Sequence, residues 1–221
     1  MTAPIVIFGA GGFAREVLQV ILDINKVRTT WEPVGFMVDA DVVAPPIVHD
    51  LPVIRDETWL ASHPEVQIII AVGSSVGRHH IAARLTQACS NTFASLIHPK
   101  AWVGQGVNIG AGTVICAGAL ITTDIAIGNH VHINIGCTVG HDAVLHDFVT
   151  MNPSVNISGN VTVGTGSEIG TGSILIPHAH VGDWSIVGAG SVVLKPLESN
   201  VTAIGSPARA IKTRQPNWQL A

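Results

Sequence analysis

Charge is scarce in this chain. Asp, Glu, Lys and Arg make up only 12% of its 221 residues, and the formal net charge is −4. A protein held to nucleic acid through phosphates needs an excess of Lys and Arg, so the balance argues against that class. Tyrosine is absent, and aromatic residues total 5%. The three cysteines, Cys89, Cys116 and Cys137, are odd in number, scattered and form no CxxC pair. They read as free thiols of a reducing compartment rather than a disulfide framework. No run approaches 18 apolar residues, and no basic segment precedes an apolar one at the N-terminus. These absences predict a soluble cytoplasmic protein with no membrane insertion.

Glycine is abundant, with 23 residues, and 47% of the chain is apolar with many β-branched side chains. That mixture can bury a core and favours strands and turns. The first part alternates strand-like and helix-like runs. A short apolar run PIVIF leads into GAGG, residues 9–12, and then into the amphipathic FAREVLQVILDINK. Further strand candidates are residues 33–38, residues 66–72 (VQIIIAV) and residues 91–97. After VQIIIAV come GSSVG and the helical RHHIAARLTQA. This alternation, with Gly loops after strands, predicts a small parallel sheet flanked by helices, a Rossmann-like α/β domain over residues 1–96. Ligands of such sheets sit at the carboxyl ends of the strands. The GAGG loop follows a strand and opens a helix, so its N–H groups can face an anion. Ala14 stands where the dinucleotide fingerprint has its third glycine, a substitution the fingerprint accepts. Asp39 closes the second strand candidate, about where an acid would meet a ribose or base. Gly73 and Ser74 follow the third.

From residue 97 the pattern changes. Every sixth residue from Ile97 to Val193 is aliphatic or Met, without a slip, and the residue four further on is mostly small or β-branched. A period of six fits neither a helix nor a hairpin array. It fits a parallel β-helix in which each hexad supplies one short strand and one corner. Three hexads make one triangular coil, so residues 18 apart stack, with the aliphatic side chains in the bore. The second domain therefore covers residues 97–221, including a C-terminal tail.

These hexads, of the form [LIV]-G-x-x-[STAV]-x, resemble the left-handed β-helix acyltransferases. The whole chain resembles a narrower group, the NeuD-type sialic acid O-acetyltransferases. Their relatives are the PglD-type and perosamine-type N-acetyltransferases of nucleotide-linked 4-amino sugars. The matching stretches are IVIFGAGGFAREV, VGHDAVLHDFV, ISGNVTVG, GAGSVV and IGSPAR. The resemblance implies the left hand of the coil, a homotrimer with sites between neighbouring β-helices, acetyl-CoA as cosubstrate, and a sugar or nucleotide-sugar acceptor. It implies no metal.

Acyl transfer from a thioester needs a base for the attacking group and donors for the oxyanion. A neutral His suits the first task near pH 7. VGHDAVLHDF contains His141 and His146, each followed by Asp. By resemblance His141 is the base and Asp142 its acidic partner. Asp124 stacks one coil below Asp142 and remains an alternative orienter. Successive strand residues face opposite ways, so Asp142 reaches the ring only if the corner there is bent. Gly159, one coil above, predicts a side-chain-free slot over the imidazole where a thioester could lie. The resemblance places acetyl-CoA contacts at Thr150, Thr171 and Ala189, with the amides of Gly188, Ala189 and Gly190 facing the pantetheine arm. Thr150 departs from relatives that carry His there. Lys195 and Arg209 are candidates for the CoA phosphates. The acceptor falls to Gly11, Gly12, Phe13, Asp39, Gly73 and Ser74. Phe13 departs from the His of the 4-amino-sugar enzymes, which favours the sugar O-acetyltransferases.

Two other classes compete. HDAVLH resembles the His pair of the γ-class carbonic anhydrases, but the position of their third His, 36 residues earlier, is Gln105. His130 with His132, and His178 with His180, could pair on a metal; the blander reading is solvated corner residues. A non-catalytic sugar-nucleotide-binding scaffold would bind ligand and release no CoA.

Overall fold

The structure, a computed structural model, describes residues 2–220. The chain forms two compact units that divide between Pro99 and Lys100.

The first unit is a five-stranded sheet. Its strands are β1 (Ala3–Phe8), β2 (Trp31–Met37), β3 (Ile47–Val48), β4 (Leu51–Ile54) and β5 (Gln67–Ile70), in the order β3-β4-β2-β1-β5. All pairings are parallel except β3 with β4. Ile5, Val6, Ile7 and Phe8 are all buried, as an inner parallel strand requires. Pro33 opposes Ile5 and cannot donate to the ladder; the register slips by one residue just beyond it. Helix α1 (Gly12–Val27) buries Ala14, Val17, Leu18 and Ile21, the i, i+3, i+4, i+7 stripe of a surface helix. Ala14 is fully buried, in keeping with the close helix packing that the fingerprint's third position serves. Helices α2 (Thr58–Ala61) and α3 (Ser75–Ala88) complete the unit.

Two expectations change here. The β3–β4 hairpin was not foreseen. Its turn residues His49 and Asp50 both have positive φ, 44° and 63°, as a two-residue type I′ turn demands, but His-Asp is not the usual Asn-Gly signal. The strand expected over 91–97 is reduced to a bridge between Phe93 and Ile68 and the pair Leu96–Ile97.

The second unit is the β-helix. Strands of two residues pair in parallel with partners 18 residues away: Leu120 pairs with Trp102 below and Thr138 above, and Ile127 with Ile109 and Leu145. The sixfold aliphatics from Ile115 to Val193 are almost fully buried and form one core. Burying each such side chain contributes about 1.5–3 kcal/mol. Small inward positions such as Ser167 and Ser185 satisfy their hydroxyls on backbone carbonyls, Ser167 Oγ on Gly182 O at 2.7 Å and Ser185 Oγ on Glu198 O at 2.8 Å. At the corners, every sixth residue from 106 to 190 has φ between 54° and 74°. Glycine fills some of these positions, whereas Asp124, Asp142 and Asn160 hold the left-handed conformation with side chains attached.

Ile97 is 38% exposed, unlike the sixfold residues from Ile115 onward. His130 and His132 are not solvated corner residues. Both are buried, with the His130 ring stacked on Phe148 at 5.1 Å. Beyond the last coil, Val201–Ile204 continues one sheet and pairs antiparallel with Arg209–Thr213. Arg214 stacks over Trp218 at 4.5 Å.

Candidate active site

The two His-Asp pairs of VGHDAVLHDF differ in position on the coil, and this separates them. Asp147 lies on a corner where side chains of one coil cap the amides of the coil below. Asn129 Oδ1 accepts from Ala111 N–H at 3.0 Å, Asp147 Oδ1 from Asn129 N–H at 2.7 Å, and Asp183 Oδ1 from Thr165 N–H at 2.7 Å. The carboxylate after His146 is therefore committed to structure.

The corner of Asp142 is built differently. Asp142 adopts φ 58°, which turns its side chain back along the corner, and its Oδ2 lies 2.7 Å from His141 Nδ1. This is the bend that the alternation of an extended strand would have forbidden. Both side chains are more than half exposed. Asp124, the alternative orienter, points the other way: a Cβ on Gly106, one coil below, would lie 2.3 Å from its Oδ1. With Nδ1 turned to Asp142, Nε2 is the nitrogen available for a proton.

Gly159 does leave a slot, but the imidazole itself occupies it. A Cβ at 159 would sit 2.7 Å from both Cε1 and Nε2 of His141. The glycine admits the ring rather than clearing space above it. Among the described residues no side chain or carbonyl accepts from the N–H of Gly159. The residue that packs against the ring thus carries a free amide donor.

A third corner of the same unit carries Thr171 and Ala189, one coil apart. Both are exposed, and their N–H groups donate to no described group. Gly172 and Gly190 beside them have open space where a Cβ would stand, and Gly188 precedes Ala189. Thr150 does not join them, since it is 3% exposed and its side chain is not on the open corner. Lys195 and Arg209 are exposed near the last coils.

In the first unit a cleft of about 410 Å³ opens at the carboxyl ends of β1, β2 and β5, where the strand order reverses. Phe8 to Phe13, Asp39, Val42 and Gly73 line it. Gly9 has φ 118°, and a Cβ there would meet Ala71 O at 2.9 Å, so only glycine fits. Gly11 caps α1 with no side-chain bond, and the N–H groups of Gly11 and Gly12 have no described acceptor. Unsatisfied N–H groups at a helix N-terminus can hold an anion. Ser74 does not line the cleft; its Oγ accepts from Gly77 N–H and caps α3.

Two arginines of α3 escaped the sequence reading. Arg78 is fully buried, and its Nη1 donates to Val72 O at 2.9 Å, holding the loop that lines the cleft. Its signal was present, because Arg78 stands in register with Ile81, Ala82 and Leu85 on the helix's buried stripe. Arg84 donates to Asp39 and Glu57, a meeting of residues far apart in sequence. Among the described residues, no group of three or more His, Cys, Asp or Glu side chains could hold a metal ion. Among the described residues, no helix is long and apolar enough to cross a membrane.

A family model described as the PglD N-terminal domain matches residues 4–85. The GDP-perosamine N-acetyltransferase of Escherichia coli O157:H7 is 28% identical over 216 residues, covering 93% of this chain and 95% of that protein. Among solved structures, PerB from Caulobacter crescentus in complex with CoA and GDP-perosamine is 30% identical with a TM-score of 0.84, over 94% of this chain and 97% of that one. The acetyltransferase domain of PglB from Neisseria gonorrhoeae FA1090, in complex with acetyl coenzyme A, is 27% identical with a TM-score of 0.82, over 96% and 100% of the two chains. With its Rossmann-like unit followed by a left-handed β-helix of hexapeptide repeats, this chain belongs to the PglD-type family of acetyltransferases.

Proposed function

We propose that this enzyme transfers the acetyl group of acetyl-CoA to the amino group of a nucleotide-linked amino sugar, of the class carried by the GDP-perosamine enzymes it is similar to. The observation that carries this reading is the imidazole of His141, oriented through Nδ1 by Asp142 and packed against Gly159, whose N–H is free. In this reading His141 Nε2 takes the proton as the amine attacks the thioester carbonyl. The oxygen that gains charge accepts from the Gly159 N–H. Collapse breaks the C–S bond, and the imidazolium returns its proton to the CoA thiolate. Products are the amide and free CoA. The open corner with the amides of Thr171 and Ala189 suits the amide groups of a pantetheine arm. The cleft at Gly11, Gly12 and Asp39 suits the nucleotide of the acceptor.

The implied homotrimer is supported by the exposed apolar residues Trp102, Leu120 and Ile174, which stand in one sheet of the β-helix. Acetyl-CoA and nucleotide sugars are cytoplasmic metabolites, and that is where we place the reaction.

Phe13, which lines the cleft, favours O-acetylation of a sugar hydroxyl as the second reading. A thiol-release assay with acetyl-CoA separates the two. Release with a GDP-linked 4-amino sugar, and none with sialic acid, supports N-transfer; the reverse pattern supports O-transfer. No release with any acceptor leaves only a binding scaffold. His141→Ala should lower kcat by about 10²–10⁴-fold, and an active variant would remove His141 from the role of base.

A further inference from the structure

The acceptor cleft contains a carboxylate that is only half engaged. Asp39 lines the cleft, and its Oδ1 accepts from Arg84 Nη2 at 2.5 Å. The same nitrogen donates to Glu57 Oε1. The guanidinium carbon of Arg84 lies 5.9 Å from the ring centroid of Phe8, another lining residue. Among the described residues nothing donates to Asp39 Oδ2.

The consequences follow from charge and geometry. A partly exposed aspartate unaided would sample several rotamers. Here the guanidinium fixes one, and Glu57 and Phe8 hold the guanidinium in turn. Two carboxylates share one cation, so the cluster keeps a net charge of about −1 and repels phosphate. An ionised carboxylate accepts hydrogen bonds and donates none. Its complement is therefore a hydroxyl or amide donor on a neutral part of the ligand. At the end of the second strand in a sheet of this order, that part is the ribose, whose 2′-OH such an acid takes.

We propose that Arg84 is a positioning residue that holds Asp39 toward the ribose diol, so that the cleft selects ribonucleotide-linked acceptors over 2′-deoxyribonucleotide-linked ones. This rests on the reading of the cleft as the acceptor nucleotide's site. With the diol bound, the carboxylate's second oxygen gains the donor it lacks. A deoxyribose leaves that oxygen desolvated and unpaired.

The test is calorimetric titration of the full chain with two matched pairs, GDP with 2′-deoxy-GDP and UDP with 2′-deoxy-UDP. Wild-type protein should bind the ribo member of the preferred pair about 10- to 100-fold more tightly, the range for one hydrogen bond to a charged group. Asp39→Ala and Arg84→Ala should each bring that ratio to within about twofold, and Arg84→Lys should keep part of it. In turnover, Arg84→Ala should raise KM for the nucleotide sugar far more than it lowers kcat, a split that general loosening of the fold does not produce. Equal wild-type affinity for the two members of a pair overturns the proposal. A full ratio in Arg84→Ala overturns the role of Arg84. If none of the four nucleotides binds, the nucleotide reading of the cleft falls, and this inference falls with it.

Discussion

His141 and Asp142 are adjacent in the chain, yet their side chains meet at 2.7 Å between Nδ1 and Oδ2. Neighbours in an extended strand point apart. These two converge because Asp142 occupies the left-handed corner position, φ 58°, that recurs at every coil. The scaffold's own corner thus supplies the bend that couples an acid to a base.

That coupling predicts the behaviour of Asp142→Asn. The amide cannot stabilise an imidazolium as a carboxylate does, so kcat should fall by about tenfold or more. Both side chains are exposed, so the thermal midpoint should stay close to wild type. Steady-state assays beside a melting curve check this, and an unchanged kcat would separate Asp142 from the chemistry.

Gly159→Ala tests the seat of the ring. The added methyl would stand 2.7 Å from Cε1 and Nε2, closer than carbon tolerates, so His141 must swing away. Activity should drop by an order of magnitude or more, as misplaced catalytic groups do. The core of the coil is untouched, and denaturant midpoints should barely move. A fully active Gly159→Ala enzyme is the outcome that would sink this placement.

Asp23 gives a pH signature in the first unit. Hydrogen bonds from Lys26, His98 and Gln19 hold its carboxyl well below the usual carboxylate range. A depressed folded pKa adds stability that is present above the unfolded value, about 3.9, and is lost as pH falls through the folded value. Asp23→Asn should therefore melt earlier than wild type at pH 7, and the gap should narrow in acid below about pH 4. Melting curves across that range read the effect; a gap that widens in acid would contradict it.

The bore predicts a silent thiol. Burial among aliphatic side chains pushes the Cys137 thiol up to about 11, leaving almost no thiolate at pH 8. Iodoacetamide should label the partly exposed Cys89 first and reach Cys137 only on unfolding. Peptide mass spectrometry of native and denatured protein distinguishes the two sites.

Much of the architecture was legible because it is periodic. The sixfold aliphatics imply one short strand per hexad, a triangular coil and an 18-residue stacking interval, and Leu120 pairing with Trp102 and Thr138 follows that interval. The GAGG loop announced a cleft at the head of a helix. Legibility failed where the signal was weak or borrowed. The His-Asp turn of the β3–β4 hairpin lacks glycine. Thr150 came from resemblance, which does not see that its side chain is buried.

The chain's order of residues was enough to determine the β-helix, its register and the place of His141 on a corner, because a strict period leaves one arrangement that buries every aliphatic residue. Only the folded structure decided which carboxylate serves that histidine, where the imidazole rests, and that Arg84 draws Asp39 and Glu57 together. Those outcomes depend on one backbone dihedral and on contacts between residues 39, 57 and 84, and a linear pattern encodes neither.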